Sequence, residues 1–334
     1  MSRVGRPART PDYRLSIGSE QITPRVRGRL QSLTLTDRRG LEADQLELVL
    51  TDDDGQLALP RRGVEIHAAI GWRGGPLIDR GTYTVDEIEH TGAPDTLSIR
   101  ASSADFRGQF PVKRTQSWHR TTLGDIVATL AKRHGLKPGI AQALHIIGVK
   151  HIDQTDESDV NFLTRLAERH DAIVTVKGGH LLFIPAGHAT TASGIGIPPI
   201  VLQREDGDQH RYSVTDRDSY SGVTAAWHDT ESAERRNVIA GSSDNPKRLR
   251  PIYASEEDAF AAAKGEWQRL QRGAAEFGLS LADGRPDIYP ETPVTLRGWK
   301  RGIDDTRWIL TEVSHEIGDG GYTSTLKMEV AEKN

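Results

Sequence analysis

Cysteine is absent from this sequence, and that omission alone removes disulfide bonds, thiolate zinc sites and cysteine nucleophiles. The fold must therefore rest on packing. Aromatic residues are scarce at 6%, too few for a large aromatic core in a compact helical enzyme. No apolar run approaches the roughly 18 residues of a membrane span, and the N-terminus carries no apolar signal segment. The expectation is a protein made in the cytoplasm without a signal peptide or membrane anchoring. An excess of one charge sign is also missing. Lys plus Arg number 43 against 47 Asp plus Glu, a formal charge of -4, which gives no global pull toward nucleic acid or anionic lipid. The local exception is Met1–Thr10, where Arg3, Arg6 and Arg9 stand without an acid beside Gly5 and Pro7; such a composition buries little and reads as a frayed tail.

Chemical signatures are missing as well. The 12 histidines are scattered and form neither H-E-x-x-H nor H-x-x-E-H. Asp52-Asp53-Asp54-Gly55 looks like the start of a calcium loop but lacks the downstream Glu, so a solvated turn suits it better. There is no G-x-S-x-G, Walker loop or G-x-G-x-x-G. The nearest approach, GIGIPP from Gly194, puts Pro198 and Pro199 where a helix would have to donate amides. The catalytic, cofactor-binding and metal-ligating sets are accordingly expected to be none, and the chain is not expected to be an enzyme. Two other readings are defined by what would support them: a cell-wall hydrolase needs a carboxylate pair, and a carbohydrate-binding protein needs exposed Trp. Four of the six Trp (72, 118, 227, 267, 299, 308) sit in apolar alternation or on a helix's inner face, which favours packing.

What is abundant is glycine, 33 residues, and alternation. In 334 residues there is room for two or three domains. From Tyr13 to about Ser102 apolar residues recur at every second position: Leu46, Leu48, Leu50; Val64, Ile66, Ala68, Ile70, Trp72; Leu97, Ile99, Ala101. That period puts them on one sheet face. Turns rich in Asp, Gly and Pro at 37–40, 52–55, 74–76 and 92–94 make the strands an antiparallel meander closing toward a barrel. Between Tyr83 and Ile88 the alternation slips by one, the trace of a β-bulge.

The period then changes. Thr122 with Asp125 caps a helix carrying Leu123, Ile126, Val127, Leu130 and Ala131, ended by Gly135. Asp156–Ala172 repeats the plan. Asp156, Glu157 and Asp159 precede the apolar ladder Val160, Leu163, Leu166 and Ala167, with Ser158 as N-cap; Arg165, Arg169 and His170 follow, then Asp171. Acids first and bases last is the order the helix dipole produces, and Asp159 and His170 stand about 16 Å apart along a helix axis, too far to share a proton or ion. Strands Ala172–Val176 and Leu181–Ile184 flank a turn at 177–180, and a Gly/Pro-rich link, Gly194–Pro199, ends the unit. Alternation returns at Val223, Ala225, Trp227; Phe277, Leu279, Leu281; Val294, Leu296; and Leu326, Met328, Val330. A helix capped by Ser255, with Phe260, Ala263, Trp267 and Leu270 inward, stops at Arg272-Gly273. The layout is two strand blocks around an insert, divided at 1–105, 106–200 and 201–334.

Several stretches give a resemblance in a fixed order: Trp118 with TTLGDIVATLAKRHGL, QTDESDVNFLTRLAERHDA, KGGHLLFIPAG, SGVTAAW at 221, EDAFAAAKGEWQRLQRG, the P-x-x-P-V-x-L-x-G-W run at 290–299, and RWILTEVSHEIGDGGYTSTLKMEV. Together they resemble the phage late control gene D protein family, the baseplate hub of contractile tails and R-type pyocins, and are similar to the hub part of type VI secretion spike proteins. The resemblance implies a mainly β (α+β) fold of two tail-tube-like antiparallel β-barrel domains with an inserted small α/β domain. It also implies a homotrimer that adapts a six-fold tail tube to a three-fold central spike inside an assembled phage tail or tailocin. The implied partners are the spike protein, the tail tube protein, and baseplate and tape-measure proteins; no cofactor and no specific nucleic-acid binding are implied. The residues of the protein interface stay unknown at this level.

Overall fold

The structure, a computed structural model, describes residues 9–103, 110, 112–214, 220–229 and 232–331. Arg3 and Arg6 of the basic tail lie outside the described residues, as does the expected division at 105/106. Arg9 is described, with its guanidinium 4.5 Å from the centroid of Trp72. The fold is mainly β, as the two-residue period predicts.

The first strand block comprises β1 (Pro11–Ile17), β2 (Glu20–Gln21), the single-turn α1 (Thr23–Arg27), β3 (Leu30–Arg38), β4 (Gln45–Thr51), β5 (Glu65–Trp72), β6 (Leu77–Thr91) and β7 (Thr96–Ser103). Alternation turns Leu33 and Leu35 of β3, Leu46, Leu48 and Leu50 of β4, and Leu97, Ile99 and Ala101 of β7 onto one buried face with Tyr83 and Val85. Each such Leu or Val contributes about 1.5–3 kcal/mol by leaving water. The slip foreseen between Tyr83 and Ile88 is a bulge. The β6–β7 ladder steps from Val85↔Ala101 to Glu87↔Arg100, so Asp86 is the extra residue and the long strand bends there.

The insert runs β8 (Lys113–Thr122), α2 (Leu123–Arg133), β9 (Lys137–Ile140), α3 (Gln142–His145), β10 (Gly148–Ser158), α4 (Asp159–Arg169), β11 (Ala172–Lys177) and β12 (His180–Pro185). Thr122 and Asp125 close a capping box on α2, and Ser158 caps α4 through the Asn161 amide. Leu123, Ile126, Val127 and Leu130 of α2 meet Phe162, Leu163 and Leu166 of α4 in a core of their own. The paired ribbon β8–β10 carries no two-residue apolar period, because Lys113–Thr122 is a run of polar residues around Trp118.

The second block contains β13 (Ile200–Gln203), a 3-10 turn, β14 (Gly207–Val214), β15 (Gly222–Asp229), β16 (Glu234–Gly241), β17 (Pro246–Tyr253), α5 (Glu256–Arg272), β18 (Ala275–Leu281), β19 (Pro293–Arg297), α6 (Arg301–Asp304), β20 (Arg307–Gly318) and β21 (Gly321–Val330). Strands β15–β17 form a separate three-stranded sheet covered by α5, whose buried stripe is Ala259, Ala262, Ala263 and Gly265. Phe260, expected on the inner face, is 47% exposed. The helix sits so close to its neighbours that only small side chains fit: a Cβ at Gly265 would lie 3.1 Å from the carbonyl oxygens of Glu168 and Arg169 in the insert.

The remaining strands of both blocks form one 13-stranded sheet in the order β14-β18-β21-β20-β3-β4-β7-β6-β5-β1-β2, with β19 bonded to β20 and β13 to β19. The blocks share a single plan. The first runs β3-β4-β7-β6-β5-β1 and the second β14-β18-β21-β20-β19-β13, so that each strand of one has its counterpart at the same place in chain and sheet. Irregularities coincide too. The β3–β4 ladder skips a residue between Leu30 and Ser32, and β14–β18 between Gly207 and Gln209; the β6 bulge after Val85 has its match after Leu310 in β20. Beside that bulge, Val85 donates its N–H to Val64 O and accepts from Gly63 N–H, while Leu310 donates to Thr292 O and accepts from Glu291 N–H. Gly63 and Glu291 both have positive φ, 87° and 68°, and Glu87–Arg100 corresponds to the ion pair Glu312–Lys327. One difference is clear: β1 runs antiparallel to β5, but β13 runs parallel to β19. Among the described residues neither block closes into a barrel by its own hydrogen bonds, since β1 and β3, and likewise β13 and β14, are not paired.

Candidate interaction surfaces

The two blocks join along β20, which changes neighbour at its bulge. Arg307–Ile309 pair with β19, and on the same edge Glu312–Gly318 pair with Arg38–Ser32 of β3. At this seam Ile317 and Tyr322 of the second block complete the core of the first. Under it lies a buried polar cluster. Arg80 pairs with Asp37, donates from Nη1 to the Pro286 carbonyl at 3.0 Å, and places Nη2 2.8 Å from His315 Nε2. Because a guanidinium only donates, Nε2 is an acceptor and the His315 proton sits on Nδ1, 2.8 Å from Ser324 Oγ. Burial, reinforced by the Arg80 charge, holds His315 down to a pKa of about 3. The Trp72 indole N–H crosses the same seam to Gly284 O at 3.0 Å.

A second set of charges, most of them buried, ties the insert to both blocks. Lys177 of β11 pairs with Asp44 of the first block. Glu291 pairs with Arg39 and accepts from the Gly187 amide at 3.3 Å; burial pushes its carboxyl above the usual range although Arg39 opposes that shift. Arg39 also reaches Glu329, which lies 3.3 Å from Arg272, and Arg272 forms a two-pronged pair with Asp171. Side-chain exposure is only 6% for Arg272 and 7% for Asp171, so each charge depends on the other.

The charge cluster Asp156–Asp171 is thereby resolved. Asp156 pairs with Lys113 and Glu157 with Arg165, both at the surface. Asp159 is more than a dipole charge. It is fully buried, taking Arg133 Nη1 at 2.8 Å, His134 Nε2 at 2.8 Å and Gln154 Nε2 at 2.8 Å; burial works against its ionised form, but these donors prevail and its pKa is lowered. Arg133 and His134 lie 26 and 25 positions away, so their pairing left no signal in the sequence. Arg169 packs 5.1 Å over the Tyr253 ring and stands 3.5 Å from Asp258. His170 is held down to about 4 by burial and by Arg169. Asp159 and His170 do not meet. The cluster is a structural fastening around α4.

Trp72, Trp118 and Trp308 are buried, and Trp227, Trp267 and Trp299 are partly buried. A cleft of about 850 Å³ between the insert sheet and the body is lined by Ile140, Ile173, Leu182, Ile184 and Tyr289, with Glu291 its one carboxylate. Among the described residues no group of three or more His, Asp or Glu side chains is placed to hold a metal ion.

What the molecule does offer is open sheet edge. The outer edge of β14 has no partner strand among the described residues, and Tyr212 and Val214 there are 41% and 62% exposed. In β6, Glu87–Thr91 pair with β7 on one side, and among the described residues no strand pairs with the other; β5 and Gly63-Val64 stop at Val85. Unpaired strand edges are templates for another chain.

Comparison with known proteins agrees with this picture. The sequence model of a family described as phage tail baseplate hub (GPD) matches residues 42–321. A probable baseplate hub protein of Escherichia phage 186 is 44% identical, the match covering 96% of this chain and 93% of that one. A tail protein from Neisseria meningitidis MC58 has a similar fold, with a TM-score of 0.71 at 14% identity over 96% of each chain. A component of the E. coli type VI secretion system, described as structurally similar to two bacteriophage T4 tail proteins, superposes with a TM-score of 0.56 at 13% identity, over 96% of this chain and 77% of its own.

Proposed function

The chain belongs to the phage tail baseplate hub (GPD) family, and we propose that within the baseplate it acts as a homotrimeric adaptor between a six-fold tail tube and a three-fold central spike. Its role is that of a structural baseplate hub. The observation that carries the finer reading is the duplicated strand plan inside one continuous sheet. Two similar units per chain let three chains present six, so a three-fold assembly can meet a six-fold one without breaking symmetry. The two strand blocks, 1–105 and 201–334, are the tail-tube-like modules in this reading, and 106–200 is the inserted domain that buttresses them. The partners are the spike, the tube, and baseplate and tape-measure proteins of a phage tail or tailocin, assembled after synthesis in the bacterial cytoplasm.

Such a protein works by burying surface, and no catalytic group is needed. Light scattering of the purified chain mixed with the spike protein of the same tail tests the reading. A mass of three chains per complex is expected; a chain that stays at 36.8 kDa with that partner would refute it. Turnover of purified peptidoglycan abolished by a single Asp or Glu substitution would favour a hydrolase instead.

A further inference from the structure

The duplicated plan places the seam inside the chain and its unused halves outside. The seam joins the second block's β20 to the first block's β3. Under the strand equivalence β3 corresponds to β14 and β20 to β6, and both equivalents have the relevant edge open. We propose that β14 of one copy pairs antiparallel with the Glu87–Thr91 edge of β6 in the next copy, repeating the internal seam between molecules. This inference rests on the trimeric reading above and gives it a contact and a register.

The coincident bulges fix that register. Ser32 and Gln209 follow the first pair of matching bulges, and Glu87 and Glu312 follow the second. Within the seam Asp37↔Val313, Thr36↔Ser314, Leu35↔His315 and Thr34↔Glu316 are opposite. Transposed between copies, these become Val214↔Ile88, Ser213↔Glu89, Tyr212↔His90 and Arg211↔Thr91. The pairing would cover the exposed Tyr212 and Val214 with the half-buried Ile88 and the ring of His90, which holds the place of His315. It would also supply the missing side of the second core. Tyr212 already leans edge-on toward Trp308, ring centroids 6.2 Å apart, as Leu35 sits within the first core. The new seam is shorter than the old one, because Gly92 and Asp95 stand where Ile317 and Tyr322 cap the first core. Since the two edges are different surfaces, the contact is head-to-tail, and such a contact closes into a ring when its rotation divides a full turn, as the three-fold reading requires.

The cysteine-free sequence makes the test clean. Directly opposite residues of an antiparallel pair have Cα atoms about 4.5–5.5 Å apart, within reach of a disulfide. Ser213→Cys and Glu89→Cys are introduced on separate chains, which are mixed, assembled with the spike protein, oxidised and run without reductant. Thr36→Cys with Ser314→Cys in one chain, whose hydroxyls are 3.1 Å apart, is the intramolecular control. Arg211→Cys with Glu89→Cys, two positions out of register, is the register control. The expected result is a crosslinked dimer only from the mixture of S213C and E89C chains, and a ladder ending at the closed ring when both changes share a chain. The inference is overturned if light scattering shows the ring and the control pair oxidises while S213C and E89C stay unlinked, or if S213C chains link to each other. The trimeric reading would survive that outcome. Absence of any ring with the spike present would overturn both.

Discussion

Strands β3 and β14 occupy the same place in the two halves of the sheet, and their side chains have opposite fates. Leu33 and Leu35 of β3 are buried, while His210 and Tyr212 at the equivalent places in β14 face solvent. Their neighbours differ as well: β20 lies against the outer edge of β3, while among the described residues no strand lies against the outer edge of β14. Burial here is conferred by the adjoining edge, which is why the second block looks unfinished in a single chain. The blocks also differ between their second and third strands. A short turn links β3 to β4, whereas the β14-to-β18 connection holds β15–β17 and α5 and so reaches the insert.

That difference can be probed at the tethers. Arg272→Ala strands Asp171 without its guanidinium in a buried site and should lower unfolding free energy by about 3–5 kcal/mol in denaturant titration. The first block's tether, Lys177 to Asp44, is 39% exposed on the Lys side, so Lys177→Ala should cost about 1 kcal/mol or less. Equal effects would mean that the two blocks hold the insert in the same way. Next in size, Leu35→Ala removes a core side chain and should cost about 2–5 kcal/mol, while Tyr212→Ala should change the isolated chain by about 0.5 kcal/mol and act instead on assembly with the spike.

Acid exposes the seam. An ordinary His titrates near 6.5, but His315 in the folded chain titrates at about 3. Between those values the unfolded chain holds a proton that the native one refuses, so the stability is complete above pH 6.5 and is lost as pH falls toward 3. The slope is about 1.4 kcal/mol per pH unit for each such histidine. His170, held to about 4, adds the same sign over a narrower window. His315→Gln should flatten the unfolding-versus-pH curve by one proton's worth; an unchanged slope would place the titration elsewhere. The smallest effect concerns the two left-handed positions beside the bulges. Gly63→Ala meets no atom within 4 Å, so its cost is conformational alone, about 1 kcal/mol. Glu291→Gly relieves comparable strain yet should still destabilise, because Arg39 and the Gly187 amide lose their acceptor.

Much of the strand inventory was legible because one sheet face is dry and the other wet, so the alternation of Leu46-Leu48-Leu50 or Phe277-Leu279-Leu281 is written into composition. The β6 bulge was readable as a slipped period for the same reason. Helices α2, α4 and α5 announced themselves by cap chemistry. The β8–β10 ribbon and β14 were not legible as strands, since polar strands carry no period of their own. Phe260 was misplaced because apolarity alone cannot distinguish a face that packs on carbonyl oxygens, where only Ala and Gly fit, from one that faces water. The ionic tethers Arg272–Asp171 and Arg39–Glu291 were invisible because each joins residues more than 100 positions apart. The duplication was suggested by two blocks of similar size, but the equivalence strand by strand needed the ladder.

The central claim is that both blocks serve as equivalent units of one collar. Cryo-electron microscopy of the assembled tail at side-chain resolution measures this directly, as the rotation about the tail axis that superposes β3–β7 on β14–β21 of the same chain. The account predicts a rotation of about 60°, with both blocks lining the lumen at one height; a collar lined by one block, with the other displaced outward or along the axis, would contradict it.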